Sequence, residues 1–569
     1  MTATGKKKPG RIKLLASFAG LLTVFRIWLA VNTPLFIQGD AMLDDYLLAE
    51  YARDLLNGKW LGDYSSTTLV KTISYPLILA FNYILGIPYS YGLIIGYILA
   101  VLLMTLALGY FIRNRYALVG IYLFLLYSPV MFHEENVQKV YRGGCIVVCS
   151  LLVFAAVTGI YAEVAGDKCR RLRLAGWSLL GVVSLPLFWY LKEDSIWILP
   201  FVLGGTLCAL IALFIRKPGW KKAVLRSLLI LLPLVSLLGA GVAYRGMNEK
   251  YYGIAAITDR EGTNFRKVIE DIQSIEDDGI GDAWITRRMA KKACDASPSM
   301  AVVEDVLCRK LDDVYGEGRD PQGDFFIWFF RASLAEMGYY ANGPQWMEDY
   351  YGKIHGELQG AFVSGKLKKD KKRIYISSIC RGYTVSEMWD YYSGRSGEAL
   401  GTLITYRENE TTRKAATGSD EAISLMAQLT NSKYIRQDPY QKIERQGEVA
   451  VSMDQAIVSV YQKTAKPVFL LGASGLLLLF VTVIWKLIKK KADVREIGLA
   501  LVLLGMITSA AALIFGVMWF ANFLSEKKLY DYFCGAIPVM NIAEAVGIYT
   551  LFATVATLVN GKLKKNYDF

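Results

Sequence analysis

A chain of 569 residues that is 54% hydrophobic, with a mean hydropathy of +0.31, is too apolar over its whole length to be an ordinary soluble protein of several domains. It reads as an all-α polytopic membrane protein. The formal net charge of +13 does not point to nucleic acid, because the lysines and arginines fall mainly in short clusters between apolar runs, as the positive-inside rule requires. Two histidines leave little material for a histidine-rich metal site or a Ser-His-Asp triad, and the eight cysteines include no CxxC. Cys145, Cys149, Cys208 and Cys534 lie in or beside apolar runs and read as small core residues. Cys294 and Cys308 could pair in an oxidising compartment, leaving Cys380 over; spacing alone leaves this open.

In chain order, a basic stretch at 6–13 precedes an apolar run at 14–37 that is long enough to span and has no clear cleavage site, so it reads as a signal anchor. Further spans fall at 91–112, 116–132, 144–161, 177–190, 196–215, 227–244, 468–485, 497–524 and 533–559. The piece at 73–89 is apolar but short, and Pro76, Gly86 and Pro88 interrupt it. Charge decides its placement: if it does not cross, the basic clusters at 6–13, 113–115, 168–173, 216–226, 486–491 and 562–565 share the cytoplasmic side. It is therefore expected to be re-entrant or surface-lying on the outer face. Three modules follow: a seven-span module at 1–246, an extracytoplasmic domain at 247–466 and a three-span module at 467–569, with both termini cytoplasmic. The expected setting is a plasma membrane, most simply a bacterial inner membrane.

The middle module has helical stretches at 265–275 and 283–294, and its aromatic patches at 325–330 and 346–351 suit either a modest core or a membrane surface. The basic run at 366–373 reads as a solvated loop. Asn409-Glu410-Thr411 matches an N-glycosylation acceptor, relevant only to a eukaryotic secretory protein.

Asp44 and Asp45, directly after the first span, are the best candidates for chemistry. At about 100° per residue, a helix starting near Asp40 puts Tyr51, Asp44, Leu55, Leu48, Ala52, Asp45, Leu56 and Ala49 on one arc, with Arg53, Asn57, Glu50 and Asp54 opposite. Two carboxylates on an apolar face are costly unless paired, metal-bound or protonated, which is the usual condition of a working acid or base. The plainer alternative is that they decorate a helix cap and first turn. Further acids recur on the same expected side, in the loop 133–142 and the turn Lys192-Glu193-Asp194. Each has an ordinary counterpart: Glu135 and Lys139 are spaced to stabilise a helix end, 192–194 suits a polar turn, and Arg26, deep in the first span, suits a structural role.

These stretches carry a resemblance: Asp44-Asp45 in the first outer loop, Lys71-Thr-Ile-Ser-Tyr-Pro-Leu-Ile78 as a lysine-proline-leucine segment, Ser128-Pro129 followed by Glu134, Glu135 and Arg142, and the acidic turn 192–194. Their order and common side, with a large outer segment after span seven, resemble the GT-C superfamily of membrane glycosyltransferases. That superfamily includes protein O-mannosyltransferases, lipid A aminoarabinose transferases and the catalytic subunit of oligosaccharyltransferase. The resemblance covers about 10–246 and extends to the remainder only as architecture; 247–466 matches no catalytic or carbohydrate-binding motif.

It implies a GT-C-like bundle of about ten spans plus the re-entrant segment, with a mainly helical outer domain. It also implies transfer of a sugar from a polyprenyl-phosphate donor to a glycan, lipid or protein acceptor on the outer face. Asp44 is narrowly favoured as general base, with Asp45 sharing that role or holding a metal or acceptor. Lys71, Lys139 and Arg142 are expected to grip the lipid phosphate, with Glu134, Glu135, Lys192, Glu193 and Asp194 completing the substrate site. If Mg2+ or Mn2+ takes part, Asp45, Glu134 and Glu135 are the expected ligands. Donor lipid, membrane lipid and acceptor are the expected partners, and nucleic acid is not. Two other classes compete: a transporter or flippase of a lipid-linked or anionic substrate, which calls for deep charges in several spans, and a non-catalytic protein with a partner-binding outer domain.

Overall fold

A computed structural model describes residues 9–565 apart from 167, 278, 280, 378–379 and 437–442. Among the described residues ten helices are long and apolar enough to cross a membrane: Lys13–Asn32, Tyr89–Leu108, Arg115–Phe132, Arg142–Ala165, Arg171–Trp189, Ser195–Ile215, Trp220–Tyr252, Arg445–Ile488, Val494–Phe520 and Ile537–Thr557. The protein is a multi-pass, helical membrane protein, and each expected span has its counterpart. Two helices overrun their apolar runs. Trp220–Tyr252 has 33 residues and Arg445–Ile488 has 44, so at 1.5 Å per residue they reach about 50 and about 66 Å, beyond a hydrocarbon layer of about 30 Å. The expected module boundaries at 246 and 467 therefore fall inside continuous helices. Hydropathy marks the lipid-facing part of a helix and is blind to its polar extension.

The ambiguous apolar piece forms the helix Ser74–Leu85, whose 12 residues reach only about 18 Å and cannot cross. Gly86, at φ 64°, ends it in the left-handed region. The helix packs against the neighbouring helices Asp45–Leu56 and Asp420–Thr430; its Tyr75 and Leu79 are buried, whereas Leu77, Phe81, Ile84 and Leu85 are exposed. Because this helix does not cross, the ten long helices alternate in direction and the basic clusters at 113–115, 168–173, 216–226 and 486–491 gather at one end of the bundle. Contacts there agree: the Arg216 guanidinium donates to the carbonyls of Ala165 and Gly166, Tyr110 donates to Ala165 at 2.7 Å, and Lys486 pairs with Glu496 at 2.6 Å.

The segment between the seventh and eighth long helices divides in two. Its first part has a core of its own, with Phe265, Ile269, Met289, Phe326, Phe330, Met347 and Tyr351 buried together. The aromatic patches thus serve chiefly as core. The second part joins the core of the bundle through Ala399, Leu403, Tyr406 and Met426. Tyr383 donates to the Trp519 carbonyl at 2.8 Å, and the Trp519 ring N–H donates to the Arg381 carbonyl at 3.0 Å.

At several single residues the structure decides what the sequence left open. Cys294 and Cys308 are not joined; all eight cysteines are free. Asn409 is 3% exposed and donates to the Pro129 carbonyl at 2.6 Å, so this acceptor motif is interior structure and no glycan fits it. Arg26 is buried, donates to the Met131 carbonyl at 2.5 Å and lies 4.0 Å from the Phe132 ring centre, which is the structural role expected. Glu544 is a second charge buried within a membrane-crossing helix, and Asp454 is buried in the polar extension of Arg445–Ile488.

Candidate functional site

The chain leaving the first span is pinned on both sides by backbone hydrogen bonds. Phe36 donates to Gln138 at 2.9 Å and Val140 donates back to Phe36 at 3.1 Å, while Gly39 donates to Thr417 at 2.8 Å and Thr417 to Ile37 at 3.0 Å. Gly39 permits this approach: a Cβ there would lie 2.9 Å from the Thr417 carbonyl oxygen. Three stretches remote in sequence thereby meet just before Asp44.

The helix that follows begins at Asp45, not near Asp40, and runs to Leu56. Asp44 is its N-cap residue (φ −125°, ψ −92°), so its side chain leaves the helical arc, while Asp45 is buried with Leu48, Ala49 and Ala52. The expected shared face is corrected accordingly: the two carboxylates diverge at the helix start. Asp44 is half-exposed (52%) and receives a 2.6 Å hydrogen bond from Lys71 Nζ. Tyr141 Oη donates to the same carboxylate at 3.2 Å and accepts from Arg142 Nη2 at 2.6 Å. Arg142 also binds both oxygens of Glu193, at 3.2 and 3.0 Å. Lys71, Asp44, Tyr141, Arg142 and Glu193 form one continuous chain.

Electrostatics separates the neighbours. Crowding by protein pushes the Asp44 carboxyl up, but the charge and hydrogen bond of Lys71, then Arg142 and Tyr141, outweigh it and hold the group at about 2. Glu193 is likewise pushed up by burial and brought down to about 2 by Arg142 and then Lys71. Asp45 goes the other way. It is 1% exposed, neither oxygen has a regular hydrogen-bond partner, and the nearest cation is Lys139 Nζ at 3.6 Å. Burial carries its carboxyl to about 7; Lys139 and, more weakly, the Gln38 backbone pull it down, while Asp44 and Glu135 push it up.

A second arm adjoins Asp45. Lys139 bridges to Glu135 at 3.4 Å, Lys528 reaches Glu135 at 3.1 Å and Asp531 at 3.2 Å, and His133 Nε2 bonds to Asp531 at 2.7 Å. Glu134 is fully buried and turns elsewhere, accepting from Thr412 at 2.6 Å and Lys414 at 2.7 Å. It therefore braces the 409–417 segment and does not face Asp44. Lys192 pairs with Asp194 at 2.6 Å and lies 4.1 Å from the Tyr532 ring centre. Among the described residues no group of three His, Cys, Asp or Glu side chains is arranged to hold a metal ion. Asp45 and Glu135 converge on Lys139, at 3.6 and 3.4 Å, whereas Glu134 turns to Lys414, so these three acids do not share one position.

All ten residues singled out in the sequence thus lie at one end of the bundle, nine of them around Asp44, Asp45 and the 192–194 turn. Several neighbours were missed. Lys527, Lys528, Asp531 and Tyr532 belong to the short helix Glu526–Tyr532, a charged island between the last two spans whose composition was a usable signal. Trp328, with its ring centre 5.5 Å from Lys71 Nζ, had none. It arrives because Arg331, one turn along the same helix, donates to the carbonyls of Ser66 at 2.6 Å and Thr68 at 3.0 Å.

Fold and site define a multi-pass helical membrane protein with a half-exposed carboxylate ringed by cations at one end of its bundle. No protein-family model and no curated protein matches the chain.

Proposed function

We propose that the protein is a GT-C-type glycosyltransferase that moves a sugar from a polyprenyl-phosphate donor to an acceptor on the outer face of the membrane. The observation that carries this reading is the half-exposed Asp44 carboxylate hydrogen-bonded at 2.6 Å to Lys71, with Arg142 one tyrosine away. A proton acceptor and two phosphate-binding cations are what sugar transfer from a lipid phosphate needs. The helix Ser74–Leu85, three residues after Lys71, offers an exposed apolar face for a prenyl chain beside them.

In the reaction the donor phosphate engages Lys71 and Arg142, which loosens the hold of Lys71 on Asp44. Asp44 then takes the proton from the acceptor hydroxyl as that oxygen bonds to the anomeric carbon. The bond from the anomeric carbon to the phosphate oxygen breaks with its electron pair, and the cations take up the charge of the departing polyprenyl phosphate. Glu193 holds Arg142 in place, and Lys192 with Asp194 borders the same surface. No step is assigned to a metal.

The test is transfer from mannosyl and aminoarabinosyl polyprenyl phosphates in membranes containing the full chain. Asp44→Asn is expected to lower the rate by about 10²-fold or more, the usual contribution of a general base. Undiminished transfer in both Asp44→Asn and Asp45→Asn would sink the enzyme reading, as would a donor phosphate seen more than about 10 Å from Asp44, Asp45, Lys71 and Arg142, since reacting groups must come within about 3 Å. A transporter or flippase would draw on the buried Arg26, Asp454 and Glu544. Each of these already has a local partner, however: the Met131 carbonyl, Thr33 at 2.7 Å and Asn541 at 3.2 Å respectively.

A further inference from the structure

The opposite end of the bundle holds a feature that sugar transfer does not use. A cavity of about 450 Å³ opens there between the ends of four long helices, lined by Lys168, Arg216, Lys222 and Arg226 together with Cys169 and Gly219. It is remote from Asp44: the helix Arg142–Ala165, which starts at the carboxylate cluster and ends beside the cavity, has 24 residues and so spans about 36 Å. Among the described residues none of the four cations has a carboxylate partner. Two are oriented by backbone instead: Arg216 donates to the carbonyls of Ala165 and Gly166, and Arg226 Nη2 donates to the Cys169 carbonyl at 3.1 Å. Lys168 and Lys222 are exposed, and among the described residues neither is engaged.

Glu163, which accepts from the Arg170 backbone N–H at 2.5 Å, offsets part of the charge, but four cations still converge on one concavity and repel one another, and an anion bound among them relieves that cost. Guanidinium groups already fixed by carbonyls lose little freedom on binding phosphate. The rim says what carries the phosphate. Leu172 (87% exposed), Ile215 (74%) and Trp220 (74%) flank the cavity at the ends of membrane-crossing helices, where an acyl chain would cover them and a soluble anion would not. A tryptophan at such a level also suits the boundary between head groups and chains.

We infer that this cavity binds the phosphate head group of an anionic phospholipid, with the acyl chains lying along Leu172, Ile215 and Trp220. The site is independent of the glycosyltransferase reading and survives if that reading fails.

The experiment uses the delipidated full chain in neutral detergent, titrated in parallel with phosphatidylglycerol, phosphatidylcholine and inorganic phosphate, with bound lipid counted by native mass spectrometry and thermal unfolding followed alongside. Phosphatidylglycerol is expected to bind saturably and at least ten times more tightly than phosphatidylcholine, and to weaken as salt is raised. Lys168→Gln/Lys222→Gln, which removes no contact among the described residues, should cost about tenfold in that affinity with no change in unfolding of the lipid-free protein. Arg216→Gln/Arg226→Gln should cost more. Lys489→Gln/Lys490→Gln, in another basic cluster, should cost nothing. Phosphatidylglycerol binding that is unchanged in both cavity variants overturns the site, and inorganic phosphate that displaces the lipid or stabilises the protein equally well overturns the lipid as its source.

Discussion

Asp44 and Asp45 are adjacent in the chain, yet one carboxyl is held at about 2 and the other raised to about 7. That separation gives a way to tell which is the base. The pH dependence of kcat/KM reports groups of the free enzyme, so with Asp44 as base the rate should show no acid limb from this group above about pH 4. A limb near pH 7 that vanishes in Asp45→Asn would transfer the role to Asp45. Stability carries its own signature. The folded protein keeps a proton on Asp45 up to about 7, against 3.8 for an ordinary aspartate, so that contribution to stability is full below about pH 4 and is lost as pH rises toward 7. Asp45→Asn should remove this fall in thermal midpoint between pH 4 and 7; a midpoint that still declines as in the parent would show that Asp45 is not protonated when folded. Asn409 makes a separate prediction. Its amide is buried between the Pro129 carbonyl at 2.6 Å and Tyr530 Oη at 3.3 Å, so Asn409→Ala should destabilise by about 1–3 kcal/mol in denaturant titration. Expression in a glycosylating host should leave the mass at this residue unchanged.

At the scale of elements, the packing of Arg445–Ile488 against Ile537–Lys565 rests on glycine. A Cβ at Gly475 would fall 1.9 Å from the Gly547 carbonyl oxygen, and one at Gly547 would fall 2.1 Å from that of Gly472. Small residues at such a crossing let two backbones touch in lipid, where hydrophobicity gives helices no reason to associate. Gly475→Ala should therefore lower stability in detergent by about 1–3 kcal/mol through overpacking, whereas Gly204→Ala, which meets open space, should be silent. The sequence revealed the existence of these helices and concealed their contacts. Runs of apolar residues announce a span because the membrane imposes a length, and the expected ten spans were legible for that reason. The start of the helix at Asp45 was not, because Asp40 and Asp44 are equally good cap residues by type and only the bonds of 36–39 to 138–140 and 417 decide between them. The burial of Asn409 was hidden for a related reason: a sequon records residue identity, and burial comes from packing against the 129–133 stretch.

At the scale of the whole molecule the candidate site is assembled from residues 44–45, 71, 135–142, 192–194 and 526–532, joined by contacts as distant as that of Lys528 with Glu135. Alternation of ten spans made their common end legible in advance. What no local pattern could supply was how they pair there, so Glu134 turned out to brace the 409–417 segment and Trp328 to arrive from the segment between the seventh and eighth long helices. The same alternation leaves one consequence open to direct measurement. If basic clusters face the cytoplasm, as the positive-inside rule directs, then the Asp44 end and the outer segment face away from it. Free cysteines already mark both ends: Cys308 is exposed in the outer segment, and Cys169 lines the basic cavity at the other end. In intact cells a membrane-impermeant maleimide should label Cys308, lost in Cys308→Ser, while a probe cysteine placed by Lys490→Cys should label only after permeabilisation. The reverse pattern would put Asp44, Lys71 and Arg142 in the cytoplasm. A donor used on the outer face could not then reach them, and the proposed reaction would fall with the topology whatever the aspartate variants showed.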